Sequence, residues 1–196
     1  MTYEATNRQS FLEHVSSLMP KDSICVEVGV YTGNFSQMIL EKINPALLYL
    51  VDPWEIGSDK NSTEKHYTYL DNLQTAYSDE KALEEIKQKF SSQIMSNQIK
   101  IKKGFSYEVV DEFPDNFFDF VYIDACHLYD SVKADLEMFL PKLKTGGLMC
   151  GHDYANVYGF GVVKAVDEFI INNNLKLVAT SASNGYDQPS FALKRT

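Results

Sequence analysis

Between Ile24 and Phe35 the chain reads ICVEVGVYTGNF, an apolar run interrupted by one acid, Glu27, and closed by two glycines, Gly29 and Gly33. The helical pattern FSQMILEKI follows at once. So apolar a run predicts a strand covered on both faces, and a strand passing through a glycine turn into a helix is the repeating unit of a parallel α/β sheet. Ligands of such sheets bind at the carboxyl ends of the strands, where loop glycines let them approach the backbone. If this loop is such a site, later strands should end on polar residues aimed at the same place.

They do. Ala46 to Trp54 reads as a second strand that stops at Asp52, where Pro53 turns the chain out. Gln98 to Lys103 is a third, followed by Gly104, Phe105 and Ser106; FFDFVYID is a fourth, ending on Asp124; Leu148 to Gly151 is a fifth, followed by His152 and Asp153. Between them lie apolar stripes at helical spacing, among them Leu83, Ile86 and Phe90, and Val132, Leu136, Phe139 and Leu140. A further helix spans about Gly161 to Ile171, and two last strands, Lys176 to Thr180 and Ser190 to Lys194, have no helix between them. The expected fold is α/β: a Rossmann-like, doubly wound, mostly parallel seven-stranded sheet with an antiparallel C-terminal edge hairpin and helices on both faces. Residues 1–196 read as one domain, with an N-terminal helix in 1–20 and a polar, Tyr-rich stretch at 55–78 that is longer than an ordinary connection and reads as a lid or substrate loop.

Charge narrows the partners. With 27 acidic against 18 basic residues the net charge is −9, which disfavours a phosphate backbone, so the expectation is a small-molecule substrate and no nucleic acid. No apolar run approaches the roughly 20 residues of a membrane span. The three cysteines show no CxxC spacing, and the segment MTYEATNRQSFLEH lacks the basic and apolar regions of a leader, so a reduced, cytoplasmic protein is expected. The oligomeric state is left open, a homo-oligomer included.

The glycine spacing is ExGxxxG, with Tyr31 where the dinucleotide fingerprint has its second glycine. A bulky side chain there opposes a diphosphate, and an acid roughly 20 residues further on suits a ribose with free hydroxyls. Together, ExGxxxG, the strand-two acid and the later strand-end residues resemble the class I S-adenosylmethionine-dependent methyltransferases. VDPW, FVYIDACHLYDSVKADLEMFLPKLKTGGLMCGHDY and GVVKAVDEF are similar to a bacterial group related to catechol O-methyltransferase and to the sugar O-methyltransferases of antibiotic pathways.

The resemblance implies that Glu27, Gly29, Val30, Tyr31 and Gly33 hold the methionine end of S-adenosyl-L-methionine, that Asp52 takes the ribose hydroxyls with Trp54 nearby, and that Ser106 contacts adenine. Asp124 adjoins the cofactor in the same scheme. It also implies a divalent cation on Asp124, His152 and Asp153. Oxygen-rich sites suit magnesium, and the imidazole shifts preference toward manganese, zinc or iron. His127, in IDACHLY, resembles the position of a catalytic base, with Asp124 on the cation or orienting the acceptor. The implied reaction is methyl transfer to a hydroxyl of a sugar or other polyhydroxyl acceptor. Two alternatives stand beside it: a cofactor-binding protein of the same fold without catalysis, and a nicotinamide-dependent oxidoreductase.

Overall fold

The computed structural model describes residues 2–55, 79–185 and 187–195. Its centre is β5 (Phe118–Ile123), buried at all six positions. On one side of β5 lie β2 (Ile24–Val28), β3 (Leu47–Asp52) and β4 (Ile99–Lys103); on the other lie β6 (Leu143–Gly151), β8 (Phe191–Lys194), β7 (Lys176–Ser181) and β1 (Tyr3–Ala5). Neighbouring strands are parallel except where β8 runs antiparallel to both β6 and β7.

Side-chain alternation along these strands separates two cores. Cys25, Leu48, Leu50, Phe120, Tyr122, Leu148 and Cys150 pack under the helices α1 (Arg8–Ser17), α2 (Asn34–Lys42) and α3 (Asp79–Lys89). Val26, Val28, Val51, Val121, Ile123 and Met149 face the opposite layer, where α5 (Ser106–Val109), α6 (Tyr129–Phe139) and α7 (Val162–Asn173) lie; α4 (Ser91–Met95) precedes β4. Period-two burial on both faces is the physical basis of a doubly wound sheet.

One expectation is corrected. The sheet has eight strands rather than seven, because Tyr3–Ala5 pairs in parallel with β7. Three residues, two of them exposed, carry no alternation that a sequence reading could detect. The C-terminal antiparallel pair lies toward this side of the sheet as expected, with β8 between β6 and β7 and β1 added outside β7. Of the stretch read as a lid or substrate loop, residues 56–78 lie outside the described residues. Among the described residues, no helix is long and apolar enough to cross a membrane.

Candidate active site

The glycine loop is shaped by packing. Gly29 has φ +87°, and a Cβ there would sit 2.1 Å from the carbonyl oxygen of Asp124; Gly33 has φ +70°, and its Cβ would meet the Phe90 ring at 2.8 Å. Both glycines thus let the loop close onto β5 and α3, where the sequence suggested only ligand access. Tyr31, between them, is itself left-handed at φ +50° and 48% exposed.

Asp52 and Trp54 secure this loop. One carboxylate oxygen of Asp52 accepts from the N–H groups of Val30 (2.8 Å) and Tyr31 (3.0 Å), and the other accepts from Trp54 N–H at 2.6 Å. The buried Trp54 indole donates to the Tyr31 carbonyl at 3.0 Å. β3 and the loop after β2 are therefore stitched by charge-assisted bonds, which hold the backbone of Val30 and Tyr31 in place before any ligand arrives. Ser106, at the start of α5, donates to Asp135 of α6 at 2.5 Å. Asp135 is buried among Val132, Leu136 and Phe139, and burial, opposed only by that hydroxyl, raises its pKa to about 6. An acid inside the apolar stripe of α6 is the signal that marks it in the sequence.

Glu27 lies under the loop at 1% exposure, accepting from Ser36 Oγ at 2.5 Å. Burial pushes its pKa well above the ordinary carboxylate value, the hydroxyl opposes this, and Asp124 and Asp52 add to it. A carboxyl whose pKa is raised by folding favours the folded state below its unfolded pKa, and that contribution is lost as pH rises through the folded pKa. Glu27→Gln keeps an acceptor for Ser36 and removes this cost. We expect its Tm in neutral buffer to exceed that of the wild type by a few degrees, the shift that ~1 kcal/mol produces in a chain of this size, with the gap closing near pH 4. Thermal melts across that range check it; a gap unchanged with pH would contradict the buried-acid account.

A second cluster forms where β5 and β6 end. Asp124 directly follows β5, and its N–H donates to the Val28 carbonyl at 2.8 Å, next to Gly29. His152 and Asp153 directly follow β6 and are both buried, Asp153 with a left-handed backbone at φ +58°. His152 Nδ1 stands 3.0 Å from Asp153 Oδ2 and 3.7 Å from Asp124 Oδ1. His127 Nε2 stands 2.9 Å from Asp153 Oδ2 and 3.9 Å from Asp124 Oδ1, and its ring stacks on Phe160 at 4.5 Å.

The electrostatics of the cluster are coupled. Burial pulls the His127 pKa down, but the close approach and charge of Asp124 and Asp153 outweigh it and raise it to about 10. Burial likewise raises that of Asp153, yet the two histidines hold it well below the usual carboxylate range. His127 Nε2 is buried with no aligned hydrogen bond, so its 2.9 Å approach to Asp153 is a contact of charges rather than an N–H···O bond.

Donors bound about 2.1 Å from one ion lie roughly 3.0–3.4 Å from each other in octahedral or tetrahedral sites. Asp124, His152 and Asp153 each offer a ligand atom, all within 4.8 Å of one another. The three form a candidate cation site whose donors would draw closer on binding, and a mixed oxygen and imidazole set of this kind suits manganese, iron or zinc better than magnesium.

The structure brings Glu27, Gly29, Val30, Tyr31, Gly33, Asp52 and Trp54 together around one loop, and Asp124, His127, His152 and Asp153 around one point beside it. Ser106 donates its hydroxyl to Asp135. Sequence reading missed Arg8 and Asp187. Arg8, the first residue of α1, donates to His152 Nε2, pairs with Asp187 Oδ1 at 2.5 Å, lies 3.7 Å from Asp124 and rests over the Phe35 ring at 5.0 Å.

A family model described as a methyltransferase domain matches residues 26–154. The O-methyltransferase NovP has the same fold at a TM-score of 0.68, with 19% identity over 96% of this chain and 79% of its own. An rRNA methylase from Streptococcus thermophilus gives a TM-score of 0.61 at 14% identity, over 95% of this chain and 93% of its own. At such identities the likeness is one of fold. A stretch of 63 residues is 36% identical to an uncharacterized protein, y4gI, of Sinorhizobium fredii; it takes in 32% of this chain and spans only 7% of that relative's length.

Proposed function

The chain belongs to the methyltransferase-domain family, as a class I S-adenosylmethionine-dependent methyltransferase, and from that premise we propose that it methylates a hydroxyl of a small polyhydroxyl molecule, a sugar foremost, with a divalent cation on Asp124, His152 and Asp153. Membership sets aside the nicotinamide reading. The observation that carries the proposal is the convergence of two carboxylates and two imidazoles at the ends of β5 and β6, in backbone contact with the loop that offers the methyl group.

In this reading residues 1–196 act as one catalytic domain. The methionine end of the cofactor lies on Glu27, Gly29, Val30, Tyr31 and Gly33. Asp52 Oδ2 is filled by the two loop N–H groups, while Oδ1, which accepts from Trp54 N–H, keeps a lone-pair site for the ribose hydroxyls. Adenine lies toward Ser106. Because Gly29 packs on the Asp124 carbonyl, the methyl donor and the acceptor site share one rigid contact, which supports in-line alignment.

The acceptor oxygen attacks the sulfonium methyl carbon; a C–O bond forms, the C–S bond breaks, and the hydroxyl proton leaves. An imidazolium cannot take that proton, and His127 beside two free carboxylates is an imidazolium at neutral pH. A divalent cation held by Asp124, His152 and Asp153 would supply positive charge that lowers the pKa of the hydroxyl. His127, at the same cluster, is in its neutral form the residue placed to take the hydroxyl proton, at Nε2. Phe160 fixes the ring plane and shields it. The net charge of −9 favours a small acceptor over a nucleic acid.

The test is a panel of polyols and phenols with S-adenosylmethionine, read by release of S-adenosylhomocysteine with Mn²⁺, Mg²⁺ or a chelator present. At least one polyol should turn over, and chelation should lower its rate tenfold or more. Cofactor binding without turnover or cation binding would leave a cofactor-binding protein, and methylation of RNA alone would replace the acceptor.

A further inference from the structure

His152 presents its two ring nitrogens to different surroundings. Nδ1 faces Asp153 and Asp124. Nε2 faces two groups delivered from opposite ends of the chain: the Arg8 guanidinium, from α1, and Asp187 Oδ1 at 3.2 Å, from the connection between β7 and β8. Arg8 and Asp187 also pair with each other.

A neutral imidazole has one N–H, and its two neighbours at Nε2 require opposite placements of it. Arg8 carries donors only. Where it donates to Nε2, that nitrogen is bare, the hydrogen sits on Nδ1, and Nδ1–H donates to Asp153. A nitrogen in that state has no lone pair to offer an ion. For Nδ1 to ligate, the hydrogen must sit on Nε2; Asp187 then accepts it, and the Arg8 N–H is opposed by another hydrogen. A carboxylate on the far nitrogen of a ligating histidine fixes both its tautomer and its orientation.

We infer that Asp187 is a positioning residue that readies His152 for a cation, and that Arg8 is its antagonist, holding His152 in the tautomer that cannot ligate. The inference rests on the cation reading of the proposed function. Arg8 is suited to this part because it stands in for the ion's charge: it lies within reach of Asp124 and Asp187, while its Nε is buried without a hydrogen-bond partner. Once a cation has taken Asp124, Arg8 keeps its pair with Asp187 and its place over the Phe35 ring.

Two measurements on the full chain test this. Long-range ¹H–¹⁵N spectra of ¹⁵N-histidine protein without metal should show His152 as the Nδ1–H tautomer, moving to Nε2–H in Arg8→Met and remaining Nδ1–H in Asp187→Asn, whose amide N–H still donates to Nε2. Calorimetric titration with Mn²⁺ should show ~10–100-fold tighter binding in Arg8→Met and ~10–100-fold weaker binding in Asp187→Asn. Asp187 is 40% exposed in its side chain, so its variant keeps the comparison open if Arg8→Met does not fold. An Nε2–H tautomer in the wild type, or tautomers unmoved by Arg8→Met, would overturn the roles of Arg8 and Asp187 whatever the metal result. The expected tautomers with no Mn²⁺ binding in any form would instead overturn the cation reading and the coupling built on it.

Discussion

Replacing His127 by glutamine is expected to slow methyl transfer by about 10²–10⁴-fold, the usual loss when a general base is removed, with cofactor affinity changed no more than a few-fold. The separation of these two effects follows from geometry. His127 stands on Asp124 and Asp153 and stacks on Phe160, whereas Glu27, Asp52 and the glycine loop are held by their own bonds. The His127 carbonyl, which accepts from the Gly161 N–H at 2.9 Å, survives the substitution, so the loop carrying residue 127 stays docked on the start of α7. Single-turnover rates with a saturating polyol, beside calorimetry with S-adenosylmethionine, separate chemistry from binding. Added imidazole should restore part of the rate to His127→Ala. Full turnover in both variants would remove His127 from the chemistry and leave ion and alignment as the source of rate.

The fold was legible because each inner strand combines an apolar run with a polar terminus. FFDFVYID, for example, is buried from Phe118 to Ile123 and ends on Asp124 where expected. The cluster at the ends of β5 and β6 was legible for the same reason, since a carboxylate or imidazole after a buried strand stands out. What stayed hidden depends on contacts between residues far apart in the chain. Arg8 meets His152 across 144 positions and Asp187 across 179, and no local pattern marks either pairing. β1 was hidden because a three-residue strand gains its pairing only once β7 exists. The role of the glycines was half legible: the spacing marked a sharp loop, but that Gly29 meets Asp124 and Gly33 meets Phe90 depends on the completed packing.

That packing makes Gly29→Ala the most damaging small substitution expected in the loop. Two penalties combine. At φ +87° an alanine is strained by roughly 1–2 kcal/mol, and its Cβ would lie 2.1 Å from the Asp124 carbonyl oxygen and 2.8 Å from Ala125 Cα. Those atoms are backbone and cannot swing aside, so β2 and β5 must part at their ends, at an overpacking cost of about 1–3 kcal/mol. The sum, about 2–5 kcal/mol, is a large share of the ~5–15 kcal/mol that holds a domain folded. Gly146 provides the control: its φ is +80° and a Cβ there meets nothing within 4 Å. Gly146→Ala should lose only the backbone part, and urea denaturation of the two variants side by side isolates the clash as their difference. Equal losses would mean that the loop yields freely at Asp124, and the rigid contact proposed to align donor with acceptor would have no physical support.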